Sequence, residues 1–320
     1  MGEKDSRPKL KKVLITGGFG LVGGRLSRHL AERGFEVLVG SRSEPSIQKG
    51  LLSCDYQIVK MDWSSIAALE SVCDQVDFIV HAAAINAAEC RRDPAGALET
   101  NAIATYRLFR GAQNADVKKL IYLSTVRVYT PAPEEVITEA SCISPSNPYS
   151  MSKWAGESLL RHSQPSGKTQ SITVRLANSY GAPNFDHTNC WNLLINDLCK
   201  QAVVSNGIEL KTAGIQYHDF VPLEAVCQSI YYLLVENELE SYEVVNLASG
   251  ESKTVWEMAC LVKKRYEKLT GRSLSLTRGS ELVPVTRFRF DVCKLEEILQ
   301  GKVDHAKEID HLILYCLDRF

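Results

Sequence analysis

The run Thr16-Gly17-Gly18-Phe19-Gly20-Leu21-Val22-Gly23 constrains this chain more than any other feature. It joins the apolar, β-branched stretch Val13–Thr16 to a segment of helical periodicity from Gly20 to Arg33. Gly17 permits a tight turn, Gly20 lets backbone amides approach a pyrophosphate without a Cβ in the way, and Gly23 allows the helix to pack closely on the strand. Strand, glycine loop and helix in that order mark a dinucleotide site, with Phe19, Leu21 and Val22 completing the contact surface. The bland alternative is a merely structural glycine turn.

The rest of the chain fits a fold of this kind. Apolar runs at Val13–Thr16, Glu36–Val39, Tyr56–Val59, Asp77–Val80, Leu120–Leu123 and Ser171–Val174 alternate with helical patterns at Gly20–Arg33, Ser65–Cys73, Pro94–Ala115 and Asn147–Arg161. This predicts an α/β fold, a Rossmann doubly wound parallel sheet. Beyond Tyr180 the alternation loosens, with a helix expected over Cys190–Val203, a strand at Val244–Leu247 and a helix over Val255–Leu269. We therefore expect a Rossmann domain over 1–180 and a smaller, mixed α/β substrate domain over 181–320, with segments such as 214–250 returning to the first.

Charge and cysteine usage narrow the setting. With 37 basic and 38 acidic residues the net charge is −1, which leaves no surplus to draw in nucleic acid or an anionic membrane. The ten cysteines form no Cys-x-x-Cys pair or Cys/His cluster, so we expect reduced core thiols, no metal and a cytoplasmic setting. The charged start, Met1 to Lys12, lacks the apolar run of a signal peptide, and no apolar stretch approaches the ~20 residues that span a bilayer.

Where NAD-selective sites place a carboxylate, the second strand ends Gly40-Ser41-Arg42. Ser41 and Arg42 suit the 2′-phosphate of NADP, NAD remaining possible; the other reading of Arg42 is a solvated loop arginine. Asp62 stands where it could take the adenine amino group or act as a helix cap.

Tyr149 and Lys153 are four residues apart, hence on one helical face. The lysine charge is expected to favour phenolate and so lower the tyrosine pKa. The spacing acquires meaning from its context, downstream of the glycine loop and of Leu123-Ser124-Thr125 at a strand end.

Together these motifs resemble the extended short-chain dehydrogenase/reductase family, which holds nucleotide-sugar epimerases, dehydratases and ketoreductases. The resemblance also rests on His81-Ala82-Ala83-Ala84, Asn101-Ala-Ile-Ala-Thr105, Ser124-Thr125-Val-Arg-Val-Tyr129, Arg175-Leu-Ala-Asn178, Gly214-Ile-Gln216-Tyr-His218-Asp219 and Asn246-Leu-Ala-Ser-Gly250. It implies Thr125, Tyr149 and Lys153 as catalytic residues. Lys153 also binds the nicotinamide ribose, Asn101 steadies a water or the lysine, and Ala82, Ala83 and Ala84 line the cofactor. Asn178, Asn192 and Gln216 fall at nucleotide-sugar positions, although a surface amide or helix cap fits Asn192 and Gln216 equally well.

Two departures from the family pattern shape the expected activity. The Asp-Glu pair of the dehydratases is replaced by Val126-Arg127, so no dehydration is expected, and Arg127 becomes a substrate contact. The arginine that grips the diphosphate in many relatives is His218 here; Arg287 and Arg289 either supply that charge or lie in a salt-bridged surface strand. His187 is either a substrate-side acid/base or a loop residue, and Cys90 either a substrate-loop residue or an inert thiol. The resemblance thus implies an NAD(P)-dependent oxidoreductase on a nucleoside-diphosphate sugar, a ketoreductase before a 4-epimerase, and a homodimer formed through the helices at 94–115 and 147–161. A non-catalytic NADP sensor or scaffold is the rival of another class.

Overall fold

The computed structural model describes residues 11–42, 56–129, 135–163, 169–235, 242–281, 285–299 and 303–320; Cys54 and the N-terminal stretch before Lys11 lie outside them. The strands are β1 (Lys12–Thr16), β2 (Glu36–Ser41), β3 (Gln57–Lys60), β4 (Phe78–His81), β5 (Lys119–Thr125), β6 (Val136–Ile137), β7 (Gln170–Leu176), β8 (Asn178–Tyr180), β9 (Gly207–Leu210), β10 (Tyr217–Pro222), β11 (Tyr242–Leu247), β12 (Ser252–Thr254), β13 (Ser275–Arg278) and β14 (Arg289–Phe290). The helices are α1 (Leu21–Ala31), α2 (Ile66–Cys73), α3 (Ala87–Arg92), α4 (Pro94–Leu98), α5 (Ala104–Asn114), α6 (Pro148–His162), α7 (Leu194–Ser205), α8 (Leu223–Val235), α9 (Val255–Thr270), α10 (Glu296–Leu299) and α11 (His305–Arg319).

Seven parallel strands form the central sheet in the order β11-β7-β5-β4-β1-β2-β3. Its strands are apolar on both faces because helices cover both. Val13 and Ile15 point into a layer with Leu26, Leu30, Val226 and Ile230, while Leu14 between them packs with Leu108, Phe109, Leu120, Tyr122 and Leu160 on the other side. The order reverses between β1 and β4, and a crevice opens at the carboxyl ends of such neighbouring strands.

The later part of the chain builds its own core from α7, α9 and α11, through Ile195, Leu198, Met258, Val262, Tyr266, Ile309 and Leu312. Three small sheets accompany it: β12-β10-β8, β13-β9 and β14-β6. The chain also returns to the central sheet, where β11 pairs with β7. Arg25 on α1 fastens the two cores together, donating to the Ala182 carbonyl and to Glu308 Oε1 on α11, both at 2.9 Å.

Two sequence expectations change. The helix expected over Pro94–Ala115 is interrupted by a π-turn at Glu99–Ile103, in which the Ala104 amide reaches back five residues to the Glu99 carbonyl. The Asn101 carbonyl in that turn instead accepts from the hydroxyls of Thr105 at 2.9 Å and Tyr122 at 3.2 Å. Among the nine described cysteines none is paired, but Cys142 and Cys293 are exposed rather than in the core.

Candidate active site

The glycine loop closes on the segment after β4. Gly17 has φ +68°, and a Cβ there would sit 2.8 Å from the Ala83 amide nitrogen. The turn is held by Thr16, whose carbonyl and hydroxyl accept from the amides of Ala82 and Ala83 at 3.2 Å each. A Cβ on Gly23 would lie 2.2 Å from the Gly17 carbonyl oxygen, so α1 touches the loop with nothing between them. Helix α1 starts on Gly20 with no side-chain cap and no acidic residue in its first turn. Its leading amides therefore have no partner from the chain's own caps, which fits an anionic pyrophosphate at the positive end of the helix. Leu21 and Val22 in this turn, and Ala82 and Ala83 opposite, are half-buried; Ala84 is exposed.

The segment 185–188 lies across this loop. Phe185 packs 5.5 Å from Phe19, His187 stacks on Phe185 at 5.7 Å, and the Thr188 hydroxyl donates to the Phe19 carbonyl. His187 is thus an exposed residue on the glycine loop, 6.0 Å from Phe19, and does not line the substrate-side cavity described below. At the end of β2, Ser41 is buried and Arg42 exposed. Asp62 does not cap α2, a task Ser65 performs by accepting from Ala68. Its Oδ1 instead accepts from the Ser64 amide and hydroxyl at 3.0 and 2.6 Å, which lowers its pKa.

Thr125 ends β5, buried, and its hydroxyl accepts from the Arg127 amide at 3.2 Å. Asn147 caps α6 by accepting from Ser150 at 3.0 Å, and Pro148 opens the helix, which fixes Tyr149 in the first turn. Lys153, one turn on, is 2% exposed, with Nζ 4.3 Å from the centre of the Tyr122 ring. Burial draws it down to about 7, against the opposing charge of Glu157. Burial also raises the Tyr149 phenol, and the cation acting to lower it is Arg127. The expectation that Lys153 lowers Tyr149 is corrected accordingly, since burial weakens the ammonium that was to do so.

Two buried networks hold these groups. The imidazole of His81 bridges Thr16 Oγ1 at 2.7 Å and Thr105 Oγ1 at 2.9 Å, tying the glycine loop to the π-turn; burial first, then Lys153, lowers its pKa to about 3. Asn101, fully buried in that turn, takes the Ile85 amide at 3.0 Å and donates to Ser152 at 3.0 Å. Its partners are therefore the loop after β4 and helix α6, not Lys153. It also lies 3.6 Å from Cys90, a buried thiol whose pKa burial raises. In the second network Arg175 donates to Glu157 at 2.8 and 3.0 Å and to the Tyr129 hydroxyl at 2.6 Å, while Ser124 donates to Glu157. Ser124 is thereby committed to support behind Thr125.

Beside this constellation a cavity of about 310 Å³ is lined by Arg127, Tyr129, Asn147, Asn178, Tyr217, His218, Asp219, Phe288 and Phe290, among others. It gathers three of the expected substrate residues, Arg127, Asn178 and His218. Burial and Arg127 both lower the His218 pKa. Asp219 is buried and engaged by the amides of Ser249 at 2.7 Å and Gly250 at 3.0 Å. Arg287 lies outside the wall, 5.8 Å from the Tyr217 ring centre. Arg289 is exposed, because strand alternation turns Phe288 and Phe290 inward instead. Gln216 donates to Thr212 at 3.1 Å, and its buried Oε1 has no partner among the described residues. Asn192 is exposed; the neighbouring Asn196 is the amide with a structural task, bridging the Gly181 backbone at 2.9 and 3.2 Å. A larger cavity of about 590 Å³ lies between α1, α8 and α11 and contains none of the expected site residues.

Sequence reasoning missed Gly156, Asn147, Phe288 and Phe290. A Cβ on Gly156 would meet the Tyr122 hydroxyl at 2.7 Å and the Asn101 carbonyl at 2.8 Å, so its absence lets α6 lie against the π-turn. The glycine stands three residues after Lys153 inside a helix, a signal that was there to be read.

Comparison with known proteins agrees with this layout. The sequence model of the NAD dependent epimerase/dehydratase family matches residues 13–248. The dTDP-glucose 4,6-dehydratase of Haemophilus influenzae is 26% identical, over 97% of this chain and 87% of its own length. Among solved structures, the UDP-N-acetylglucosamine 4-epimerase of Methanobrevibacter ruminantium M1, in complex with UDP-N-acetylmuramic acid, superposes with a TM-score of 0.83 at 20% identity, covering 98% of this chain and all (100%) of that one. MoeE5 in complex with UDP-glucose and NAD gives 0.77 at 22% identity over 95% and 98%.

Proposed function

The chain belongs to the NAD dependent epimerase/dehydratase family, and from that premise we propose that it interconverts a hydroxyl and a ketone on the sugar of a nucleoside-diphosphate sugar. The observation that supports this reading is a chain of contacts: Lys153 of α6 lies over the Tyr122 ring of β5, His81 stacks on that ring and bonds Thr16 at the glycine loop, and Arg127, bonded to Thr125 at the end of β5, lines the cavity with Asn178 and His218. The uncapped start of α1 and the missing Cβ atoms at Gly17 and Gly20 fit a dinucleotide there.

When bound, the nicotinamide supplies and recovers the hydride. The chain's own residues handle the oxygen and its proton. Tyr149 takes the proton from the sugar hydroxyl or returns it to the ketone, and the Thr125 hydroxyl donates to the same oxygen as negative charge develops. Lys153, near 7, is able to pass a proton onward at neutral pH. No carboxylate follows Thr125, which argues against elimination of water, although dehydratases are among the relatives.

Net reduction by NADPH is supported by the exposed Arg42 at the end of β2, with no carboxylate at residues 40–42. The 4-epimerase course remains the second reading, since Phe288 and Phe290, not Arg287 and Arg289, line the cavity. Dissociation constants for NAD and NADP with and without Arg42→Ala separate the cofactors. Exposed Leu98, Met151 and Trp154 on α4 and α6 support a homodimer through these helices. The decisive test is Tyr149→Phe: turnover, followed by proton NMR of the sugar, is expected to fall about 10²–10⁴-fold while NAD affinity is retained. Unchanged turnover removes Tyr149 from the chemistry.

A further inference from the structure

Resting on the nucleotide-sugar reading above, we propose that Arg127 recognises a carboxylate on the sugar ring, so that the substrate is a nucleoside-diphosphate hexuronic acid rather than a neutral sugar. Arg127 stands two residues after Thr125, in the 3-10 turn Val126–Tyr129, and its amide donates to the Thr125 hydroxyl. Its backbone is therefore fixed against the group expected to hold the reacting oxygen. The sugar carbon that reacts must come within hydrogen-bond reach of that hydroxyl and of Tyr149, which brings the ring, rather than the distant nucleoside, beside Arg127.

The guanidinium is available. Arg127 is exposed, lines the cavity and forms no ion pair with any described residue. Arg175, one strand away, shows the contrast: it is buried and committed to Glu157 and Tyr129. Among the described residues the carboxylate that lines the cavity is Asp219, and it is spent on the amides of Ser249 and Gly250 rather than on Arg127. Arg127 lines the cavity together with His218, and its charge opposes the rise that burial imposes on the Tyr149 phenol. A diphosphate has another cation to meet outside the wall, Arg287, which lies 5.8 Å from the ring centre of the lining Tyr217. What remains for Arg127 is a negative charge next to the reacting carbon, and a ring carboxylate offers its planar fork two parallel acceptors.

The experiment compares UDP-glucose with UDP-glucuronate, or the same pair in the dTDP or GDP series if that nucleotide binds more tightly. Calorimetry on NAD-loaded protein gives dissociation constants, and the anomeric proton signal follows consumption. The expected result is a preference for the uronate of about tenfold or more, which falls to within about twofold of parity in Arg127→Gln and is partly kept in Arg127→Lys, where the charge remains. Equal use of the two sugars overturns the inference and leaves the nucleotide-sugar reading standing. So does an Arg127→Gln protein weakened alike for both, which would make Arg127 a diphosphate ligand. Binding of no sugar in any of the three series overturns the nucleotide-sugar reading itself.

Discussion

Replacing Gly23 by alanine tests the cofactor loop most directly. The new Cβ would stand 2.2 Å from the Gly17 carbonyl oxygen, whereas ordinary contact begins at 3.4 Å, so a gap of 3.4 − 2.2 = 1.2 Å must be opened. Both sides of the clash are backbone, and no rotamer relieves it. Helix α1 must move off β1, at a cost of about 1–3 kcal/mol for an overpacked contact and a Tm lower by roughly 2–10 °C. The same displacement pulls the leading amides of α1 away from the pyrophosphate. Loss of two such charge-assisted hydrogen bonds, about 1.5 kcal/mol each, weakens NAD binding about 100-fold. The assay is thermal unfolding with NAD at about 100 times the wild-type Kd, where binding adds about 2.7 kcal/mol to the wild type and only about 0.4 to the variant. Gly34→Ala is the control: φ is +82°, nothing lies within 4 Å of its Cβ, and it should lose about 1–2 kcal/mol from backbone strain while keeping the whole NAD response. A Gly23→Ala protein that NAD stabilises as strongly as the wild type would refute this account of the loop.

Three further outcomes follow from the buried groups and the exposed helix face. Glu157→Gln leaves the Arg175 guanidinium buried against a neutral amide and should cost about 3–5 kcal/mol in urea titrations; a loss below 1 kcal/mol would show that the pair is dispensable. Burial lowers Lys153 from 10.5 to about 7, so between those values the unfolded chain holds more protons and stability rises with pH. Lys153→Met removes that slope: its stability relative to the wild type is greatest below pH 7 and declines toward pH 10 in denaturant melts, and a constant difference contradicts the assignment. Trp154→Glu puts a charge among Leu98, Met151 and Trp154, and sedimentation should show dimers giving way to monomers; an unchanged mass removes this face from the interface.

The sheet was legible because its order is written locally. Its strands β1 to β5 and β7 fall on runs expected from the sequence, and the Gly17, Gly20 and Gly23 loop announces where β1 ends, whereas the two-residue β6 outside this sheet left no such signal. Helix α6 was readable from Asn147 before it, from Pro148 at its start and from the Tyr149 and Lys153 spacing within it. What escaped was set by contacts between distant segments. The π-turn at Glu99–Ile103 exists because Tyr122 and Thr105 compete for the Asn101 carbonyl, and the periodicity of 94–115 carries no trace of Tyr122. Arg287 and Arg289 attract notice as charges, yet β14 pairs with β6 so that Phe288 and Phe290 face the cavity. Between the two readings of His187, the stacking on Phe185 and the approach to Phe19 fit the loop residue, and neither contact shows in the local sequence.

The bridge from Thr16 through His81 to Thr105 bears on attempts to re-engineer cofactor choice. A graft of the glycine loop from another protein, ending at Gly23 and bringing a different residue at position 16, would strand the His81 Nδ1 that now meets Thr16 at 2.7 Å. An orphaned buried nitrogen costs about 1–3 kcal/mol, and the freed ring would slacken its hold on Thr105 and the π-turn. Loop, β4 end and the start of α5 form one transplantable unit, and a chimera that respects this boundary should keep helix α6 in register.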